Sequence, residues 1–364
     1  MLAGHATSKV NVTTKWDGAP AIFAGINPDN GKFFVGTKSI FNKEAKLNYT
    51  NADIDANHSS EGLNRKLKYA LRYLPKLGID GILQGDMMFT KGDIETKEID
   101  GQEYAIFQPN TIVYAVPIDS KLAKSMMDAQ IGVVFHTSYT GKTMSDMKAS
   151  FNIDIRNLDT TKDVWFRDAS FIDASGTATF TEEETKQVTA MLSDLGMQFR
   201  SVNGLVLNRI ASNDLIRTQI KTFNNTKVRE GEAIRDTAKH TRELIAWVEA
   251  KQNKEILAAK KAETKKKRIA EKNELMRFYR LNANELKKIF DIQNDLVQIK
   301  NMIIKKLQQI RQVTGTFVRT DDGFKVTNPE GFVAVDKLKG NAVKLVDRLE
   351  FSHQNFNVAK NWSK

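Results

Sequence analysis

The sequence has no cysteine. This absence excludes disulfide bonds, thiolate metal ligands and thiol nucleophiles, and it suits a reducing compartment. The chain also lacks an apolar run of about 18 residues, which a transmembrane helix needs. Residues 1–5 have neither the basic start nor the apolar core of a secretory signal. We therefore expect a cytoplasmic protein without a membrane partner.

Proline and glycine are scarce in the second half of the chain. No proline lies between Pro117 and Pro329, and no glycine lies between residues 232 and 314. Because these two residue types are the poorest helix formers, their absence predicts long helices. A capping box formed by Thr181 and Glu184 predicts a further helix ahead of this stretch.

The long helical stretch contains one interior capping signal. Asn282, with Glu285 three residues later, is typical of a helix start, so we place a break there. The prediction is an antiparallel helical hairpin over about residues 226–312, with one arm at 226–279 and the other at 283–312. Such a hairpin could dock a protein partner or self-associate.

Short strands separated by turns fill the rest of the sequence. Residues 9–140 alternate apolar segments with turn residues, and residues 315–350 return to the same pattern. We therefore predict an α+β protein. Its β-rich domain comprises residues 1–158 and 313–364, and a mainly helical insertion over residues 159–312 interrupts it.

Basic residues outnumber acidic ones, which gives a net charge of +11 and an isoelectric point near 9.4. Such a charge attracts polyanions, because each neutralised phosphate releases a counterion. The densest basic run could be a solvated helix face, or it could contact phosphates without reading sequence. It comprises Lys260, Lys261, Lys265, Lys266, Lys267 and Arg268.

A short motif near the start of the chain places reactive groups beside a turn. Lys15, Asp17 and Gly18 follow a Val/Thr-rich segment that is typical of a strand. A lysine amine attacks an electrophile only when burial or a nearby cation lowers its pKa. Lys15 is therefore either a nucleophile that depends on distant partners or a surface lysine beside a hairpin turn.

Other polar residues stand at the ends of predicted strands. Asp86 lies in an apolar strand, where an unpaired carboxylate is costly, so it reaches solvent or holds a ligand. Lysines near phosphate oxygens, together with acids near a metal ion or a ribose, form a nucleotide site. The residues that such a site would contain are Lys15, Asp17, Lys38, Asp86, Glu330 and Lys344.

Five segments resemble, in order, the motifs of the covalent nucleotidyltransferase superfamily, which includes ATP-dependent DNA ligases, RNA ligases and mRNA-capping enzymes. The segment at 15–18 matches the K-x-D-G nucleophile motif, and 84–86 resembles the G-E motif. The strand at 131–137 resembles the superfamily strand that follows the G-E motif. Residues 330–333 match the E-G-h-V motif, and residues 343–346 resemble the final K-x-K strand. The likeness is closest to uncharacterised RNA-ligase-like proteins of tailed phages.

The resemblance implies an ATP-grasp-like adenylation domain and a role for each residue that aligns with a motif. Lys15 would attack the α-phosphate of ATP to form a lysyl-AMP intermediate, and Lys344 would stabilise the developing charge. Glu330 would orient the lysine or, with Asp86, bind Mg²⁺ or Mn²⁺. The AMP would pass to the end of an RNA or DNA strand, in the host cytoplasm if a phage encodes the protein.

The nucleotide itself would contact a second group of residues. Asp17, Gly18 and Lys38 would belong to its binding site, Asp86 would hold the ribose and Phe135 would stack on the adenine. Val346 replaces the second lysine of the final motif, and the residues after it leave no room for an OB domain. This architecture is more similar to phage-type RNA ligases than to DNA ligases.

Two alternative functions stay open at the level of sequence. The chain could be a nucleic-acid-binding or virion-associated protein that keeps an inactive nucleotidyltransferase fold. It could also transfer AMP to an acceptor that is not a nucleic acid. The replacement at Val346 and the basic helical insertion favour the first of these alternatives.

Overall fold

The computed structural model describes residues 10–151, 153–169, 180–309, 315–320, 323–326, 330–336 and 342–353. Within them the chain is a mixed α+β protein with antiparallel sheets, which confirms the coarse class that we predicted. The chain divides into two compact units. The sheet unit comprises Met1–Thr179, Lys306–Val346 and Val358–Lys364, and the helical unit comprises Phe180–Lys305 and Asp347–Asn357.

The strands are numbered in chain order. They are β1 Val10–Lys15, β2 Ala21–Ile26, β3 Phe33–Gly36, β4 Ile82–Thr90, β5 Glu95–Ile99, β6 Gln102–Phe107, β7 Val113–Pro117, β8 Ile131–Thr140, β9 Lys148–Ser150, β10 Val164–Asp168, β11 Gly315–Thr320, β12 Gly323–Val326, β13 Gly331–Asp336 and β14 Ala342–Val346.

The α-helices are numbered in the same way. They are α1 Asn51–Asn57, α2 Glu61–Tyr73, α3 Lys121–Asp128, α4 Glu182–Ser201, α5 Gly204–Ser212, α6 Asp214–Arg229, α7 Thr237–Leu257, α8 Ala262–Leu281 and α9 Ala283–Leu307. Among the helices of the described residues, none is both long enough and apolar enough to span a lipid bilayer.

A small antiparallel sheet joins the first described strand to the last ones in the order β1-β13-β14. Its central strand pairs Gly331 with Lys15, and it pairs Val333 with Thr13 on one side and with Lys344 on the other. Because residues opposite each other in a sheet share a face, Thr13, Val333 and Lys344 lie on the same side. The sheet thus brings the two distant motif segments together.

A larger sheet has the order β10-β8-β4-β2-β3, with β9 paired to β8. The pair β8–β10 is parallel and the other pairs are antiparallel. One face of this sheet packs against α2, where Leu67 and Ala70, together with Leu74 directly after the helix, meet Ile22 and Phe135 in an apolar core. A third sheet, β12-β11-β7-β6-β5, has a separate core of its own.

The pairing of β4 with β8 contains an irregularity beside the predicted motif strand. Gln84 pairs with Thr137, whereas the next residue, Gly85, pairs with Phe135. His136 is therefore an extra residue in β8, which is the arrangement of a β-bulge. A bulge shifts the alternation of side chains between the two faces of a sheet.

The helical unit contains α4 to α8 and most of α9. The capping box of Thr181 and Glu184 opens α4, as predicted. Apolar residues of α6, α7, α8 and α9 form its core, among them Phe223, Leu244 and Tyr279. This core explains why the stretch without glycine and proline folds into several packed helices.

The helices reverse direction at a place that differs from the prediction. Lys272 of α8 donates to Asn253 of α7 over 2.8 Å, and Thr237 of α7 donates to Asp291 of α9 over 2.6 Å. Along α8 and α9, higher residue numbers therefore contact lower residue numbers of α7. Both helices thus run antiparallel to α7. The reversal lies at residues 258–261, between α7 and α8.

Asn282 breaks the helix, as predicted, but it does not reverse the chain. The Asn282 N–H donates to the Phe278 carbonyl (3.1 Å), and the Leu286 N–H donates to the Asn282 carbonyl (2.9 Å). Helical hydrogen bonds thus continue across the break, and α8 and α9 follow one another. The predicted arms at 226–279 and 283–312 are therefore not the two arms of a hairpin.

Candidate active site

A cavity of about 460 Å³ lies in the sheet unit and is lined by both the small and the large sheet. The small sheet contributes side chains from β1, β13 and β14, and the large sheet contributes side chains from β2, β4 and β8. The lining residues are Thr13, Thr14, Lys15, Trp16, Ala21, Gln84, Asp86, Val134, His136, Thr137, Phe151, Ala169, Val333, Val335, Ala342 and Lys344.

Lys15 ends β1 at the wall of this cavity and forms an ion pair with Glu330, which is 315 positions away in sequence. Glu330 is buried, and its burial raises the pKa of the carboxyl, which the neighbouring Lys15 partly offsets. Gly331 is required next to it, because its φ is +151° and a Cβ there would lie 2.3 Å from the Leu345 carbonyl oxygen. Gly331 thus helps to position Glu330, the partner of Lys15.

Asp17 is buried, and its carboxylate is occupied by the chain itself. Its oxygens accept hydrogen bonds from the Asn110 side chain and from the backbone N–H groups of Thr111 and Ile112, at 2.7–2.9 Å. Its own N–H donates to the Tyr114 hydroxyl over 2.7 Å. These contacts give Asp17 a structural role in holding the motif loop, and a contact with a nucleotide stays a prediction.

Gly18 lets the motif loop lie directly on β4. A Cβ at this position would be 2.5 Å from the Cβ of Asp86 and 2.9 Å from the sulfur of Met88. The next residue, Ala19, donates its N–H to the Met87 carbonyl over 3.0 Å. The absence of a side chain at Gly18 therefore brings the loop beside Asp86.

Asp86 lines the cavity from β4, and its nearest basic neighbour is a histidine. The Nε2 atom of His136 lies 3.8 Å from an oxygen of Asp86, and its Nδ1 atom lies 2.7 Å from the Thr137 hydroxyl. His136 and Thr137 are consecutive in sequence, yet both line the cavity. The bulge in β8 accounts for this arrangement.

Phe135 and Lys38 are among the predicted residues that do not line the cavity. Phe135 is fully buried in the apolar core that α2 covers, and it packs against Phe166. The prediction that it stacks on a base does not fit this position, because the face of β8 that lines the cavity presents His136 instead. Lys38 is exposed at the start of a short 3-10 turn and does not line the cavity.

The cavity also contains residues that the motif alignment does not assign. Trp16 and Phe151 line it, and the Trp16 ring lies 5.0 Å from the Tyr114 ring. Behind the motif loop, the buried amine of Lys66 donates to the Ala19 carbonyl over 3.2 Å, and burial lowers its pKa. A lysine on the apolar stripe of α2 was the signal in the sequence for this contact.

Among the described residues that line the cavity, Asp86 is the only carboxylate. Asp86 lines the cavity, and Glu330 contacts it through Lys15. Among the residues that the structure describes, no group of three or more His, Asp or Glu side chains is arranged to hold a metal ion. Any ion here would take ligands from a bound phosphate.

A family model described as a family of unknown function, DUF6267, matches residues 1–360. The chain belongs to DUF6267. No curated protein and no solved structure matches the sequence of this DUF6267 protein. Its chemistry must therefore be inferred from its own residues.

The basic run of this DUF6267 protein lies at the reversal between α7 and α8. Lys260 and Lys261 directly precede α8, and both are exposed, as is the rest of the run except Arg268. Arg268 donates to the Glu255 carbonyl, and Lys267 lies 3.9 Å from Glu271. The run is thus a solvent-exposed basic tip of the helical unit.

Proposed function

We propose that this DUF6267 protein is an ATP-dependent polynucleotide ligase that acts through a lysyl-AMP intermediate, with RNA ends preferred over DNA ends. The observation that carries the proposal is the ion pair of Lys15 and Glu330 at the wall of a cavity that Asp86 and Lys344 also line. This arrangement unites a nucleophile, a proton acceptor and a second cation. The nucleotidyltransferase fold is part of the same proposal.

The cavity offers matching groups for each part of ATP. Lys344 supplies a positive charge for phosphate oxygens, and Asp86 supplies an acceptor for ribose hydroxyls. Trp16, His136 and Phe151 offer ring faces for the adenine, in place of the buried Phe135. Aromatic stacking of this kind is sequence-tolerant and therefore needs only a ring of suitable orientation.

Glu330 prepares Lys15 for attack. Burial raises the pKa of its carboxyl, so the carboxylate is a better proton acceptor than an exposed glutamate. After the proton moves from the ammonium group to Glu330, the amine forms a bond to the α-phosphorus and the bond to pyrophosphate breaks. A 5′-phosphate then takes the AMP from Lys15, and a 3′-hydroxyl displaces that AMP to join the strands.

The donor set also fits a Mg²⁺ ion. Proteins hold Mg²⁺ through one or two carboxylates together with substrate phosphates, and Asp86 and Glu330 match that number. Such an ion would neutralise charge on the phosphate oxygens during transfer. Mn²⁺ accepts the same oxygen ligands.

Incubation with α-labelled ATP and Mg²⁺ tests the proposal. We expect a covalent label on the wild type and on Lys32→Ala, which removes an exposed lysine of the same unit, but none on Lys15→Ala. Chasing the label with nicked and single-stranded RNA and DNA identifies the acceptor. A folded wild type that acquires no label would exclude the enzyme.

A second candidate is a nucleic-acid-binding protein with an inactive nucleotidyltransferase fold. The exposed basic tip with Lys260 and Lys261 favours it, because unpaired surface lysines bind phosphates without reading sequence. Binding of labelled RNA by a protein that never acquires AMP would support this function. A labelled protein that transfers its AMP to none of the nucleic acids would instead indicate a different AMP acceptor.

A further inference from the structure

An open groove of about 1220 Å³ lies between α1 and α2 in the sheet unit. It shares no lining residue with the candidate active site. Its walls include Arg65, Tyr69, Arg72 and Tyr73, which lie on successive turns of α2. We call these four residues the α2 face.

The α2 face lies at the border between the outer and the core side of an amphipathic helix, because Tyr69 and Tyr73 also pack partly against the core. The inner side buries Leu67 and Ala70 in the core of the sheet unit. Arg65 and Arg72 are exposed, whereas Tyr69 and Tyr73 are only half-buried. Two large aromatic rings thus keep part of their surface in contact with solvent beside two guanidinium groups.

The two rings and the cations are arranged for stacking. The ring centroids of Tyr69 and Tyr73 are 5.9 Å apart with an interplanar angle of 36°. The Arg72 guanidinium carbon and the Lys76 amine each lie 5.3 Å from the centre of the Tyr73 ring. A planar partner that stacks beside the Tyr73 ring would therefore lie next to a positive charge.

The charges on this face are only partly neutralised. Lys68 pairs with Asp55, and Lys76 pairs with Asp163. Arg65 and Arg72, by contrast, form no ion pair with a carboxylate in the described part of the chain, although Arg72 lies close enough to help lower the pKa of Asp163 after Lys76. Two guanidinium groups thus stay available for external anions.

We propose that the α2 face binds single-stranded nucleic acid, with bases stacked on Tyr69 and Tyr73 and phosphates bound by Arg65 and Arg72. Unstacked bases pack on tyrosine rings and arginine planes, while guanidinium groups bind phosphates through bidentate hydrogen bonds. An acidic peptide would use the two arginines but not the pair of rings. The site does not require that Lys15 reacts with ATP.

Fluorescence anisotropy with a labelled oligouridylate of about 12 nucleotides tests this site, since single-strand sites of this kind cover about 4–16 nucleotides. Replacing both arginines, R65A/R72A, removes two phosphate contacts. The slope of log affinity against log salt should become shallower by about 1.4, because each contact on a single strand contributes about 0.7. The affinity should fall about tenfold at moderate salt.

The ring variants separate stacking from charge. Y69L/Y73L should weaken binding about tenfold and leave the salt slope unchanged, because stacking on rings is not ionic. Y69F/Y73F keeps both rings and should bind like the wild type. Urea unfolding of each variant shows that the sheet unit remains folded.

Two controls make the outcome specific. K121A/K124A removes two exposed lysines from α3 and should change the affinity less than twofold. K15A should also bind like the wild type, which separates this site from the proposed ligase activity. The proposal is overturned if the wild type does not bind, if the folded R65A/R72A and Y69L/Y73L proteins bind within twofold of it, or if the α3 control weakens binding equally.

Discussion

The carboxylate of Asp17 and the ammonium group of Lys260 show how differently the two units hold charge. Asp17 is 3% exposed and accepts three hydrogen bonds from Asn110, Thr111 and Ile112. Lys260 is exposed at the tip of the helical unit. A buried charge fixes geometry, because leaving it or its partners unsatisfied is costly. An exposed charge is screened by salt and constrains little.

In the function that we propose, this difference suits the two units to separate tasks. The proposed chemistry at Lys15 needs a fixed partner, and Glu330 forms an ion pair with it at the edge of a sheet. Attraction of a polyanion needs only a local excess of charge, which the basic tip supplies. Substitutions of buried charges in the sheet unit should therefore have large effects that salt hardly alters, and substitutions at the tip should have small effects that depend on salt.

The largest effect is expected at Asp17. Asp17→Ala leaves three donors without their acceptor, so we expect a loss of about 3 kcal/mol or more of unfolding free energy. Urea denaturation measures it. Glu44→Ala removes an exposed carboxylate from the same unit and should cost less than about 0.5 kcal/mol. Equal effects of the two substitutions would contradict the structural role of Asp17.

A smaller effect is expected at Gly18. Gly18→Ala places a Cβ 2.5 Å from that of Asp86, so the loop must move, at a cost of about 1–3 kcal/mol. The extent of Lys15 labelling by ATP should also decrease, because the motif loop has moved. Gly92→Ala meets no atom within 4 Å and should leave stability and labelling unchanged. A Gly18→Ala protein that labels normally would show that the close approach to β4 is dispensable.

The change in the stability of the helical unit with pH should be smaller than the effects at Asp17 and Gly18. His240 lies between Phe223 and Phe290, and burial lowers its pKa, which Glu243 partly offsets. Because the folded-state pKa lies below the usual value, its contribution to stability is complete above about pH 6.5 and is lost as pH falls through the lowered pKa. Unfolding midpoints at about pH 7 and 5 measure this change.

His240→Gln checks the origin of that pH dependence. Glutamine cannot titrate, but it can donate to the Asn224 oxygen that lies 2.8 Å from His240 Nε2. The variant should therefore lose less stability between the two pH values than the wild type does. An unchanged difference would place the pH dependence on other groups.

The smallest effect on stability is expected at the basic tip. Lys265→Ala/Lys266→Ala should change the unfolding free energy by less than about 0.5 kcal/mol. If the tip binds nucleic acid, affinity at low salt should fall and the difference should vanish at high salt. The α3 pair Lys121→Ala/Lys124→Ala is the matched control. A salt-independent loss would mean that the tip has more than an ionic role.

Local patterns predicted much of the fold. The Val/Thr-rich segment before Lys15 is a strand, and the capping box at Thr181 opens a helix. The sequence also predicted that Lys15 and Glu330 lie close together, but only through the order of motifs. No local property of either segment specifies a contact between residues so far apart.

Two features could not be predicted, each for a physical reason. The resemblance placed Phe135 at the adenine, but Phe135 pairs with Gly85 and faces the core, whereas Val134 and His136 line the cavity; no residue type marks this register of β8 against β4. The reversal at residues 258–261 uses only alanine and lysine, which are good helix formers. A cap such as Asn282 signals a break but does not specify whether the chain bends or reverses.

The central claim is that Lys15 carries AMP. Its most direct test is mass spectrometry of peptides from the wild-type protein after incubation with ATP and Mg²⁺, without acid treatment. The account predicts one AMP adduct, on the peptide that contains Lys15, and a strong reduction in Glu330→Gln. An adduct on another lysine such as Lys66 or Lys344, or a folded protein without any adduct, would contradict it.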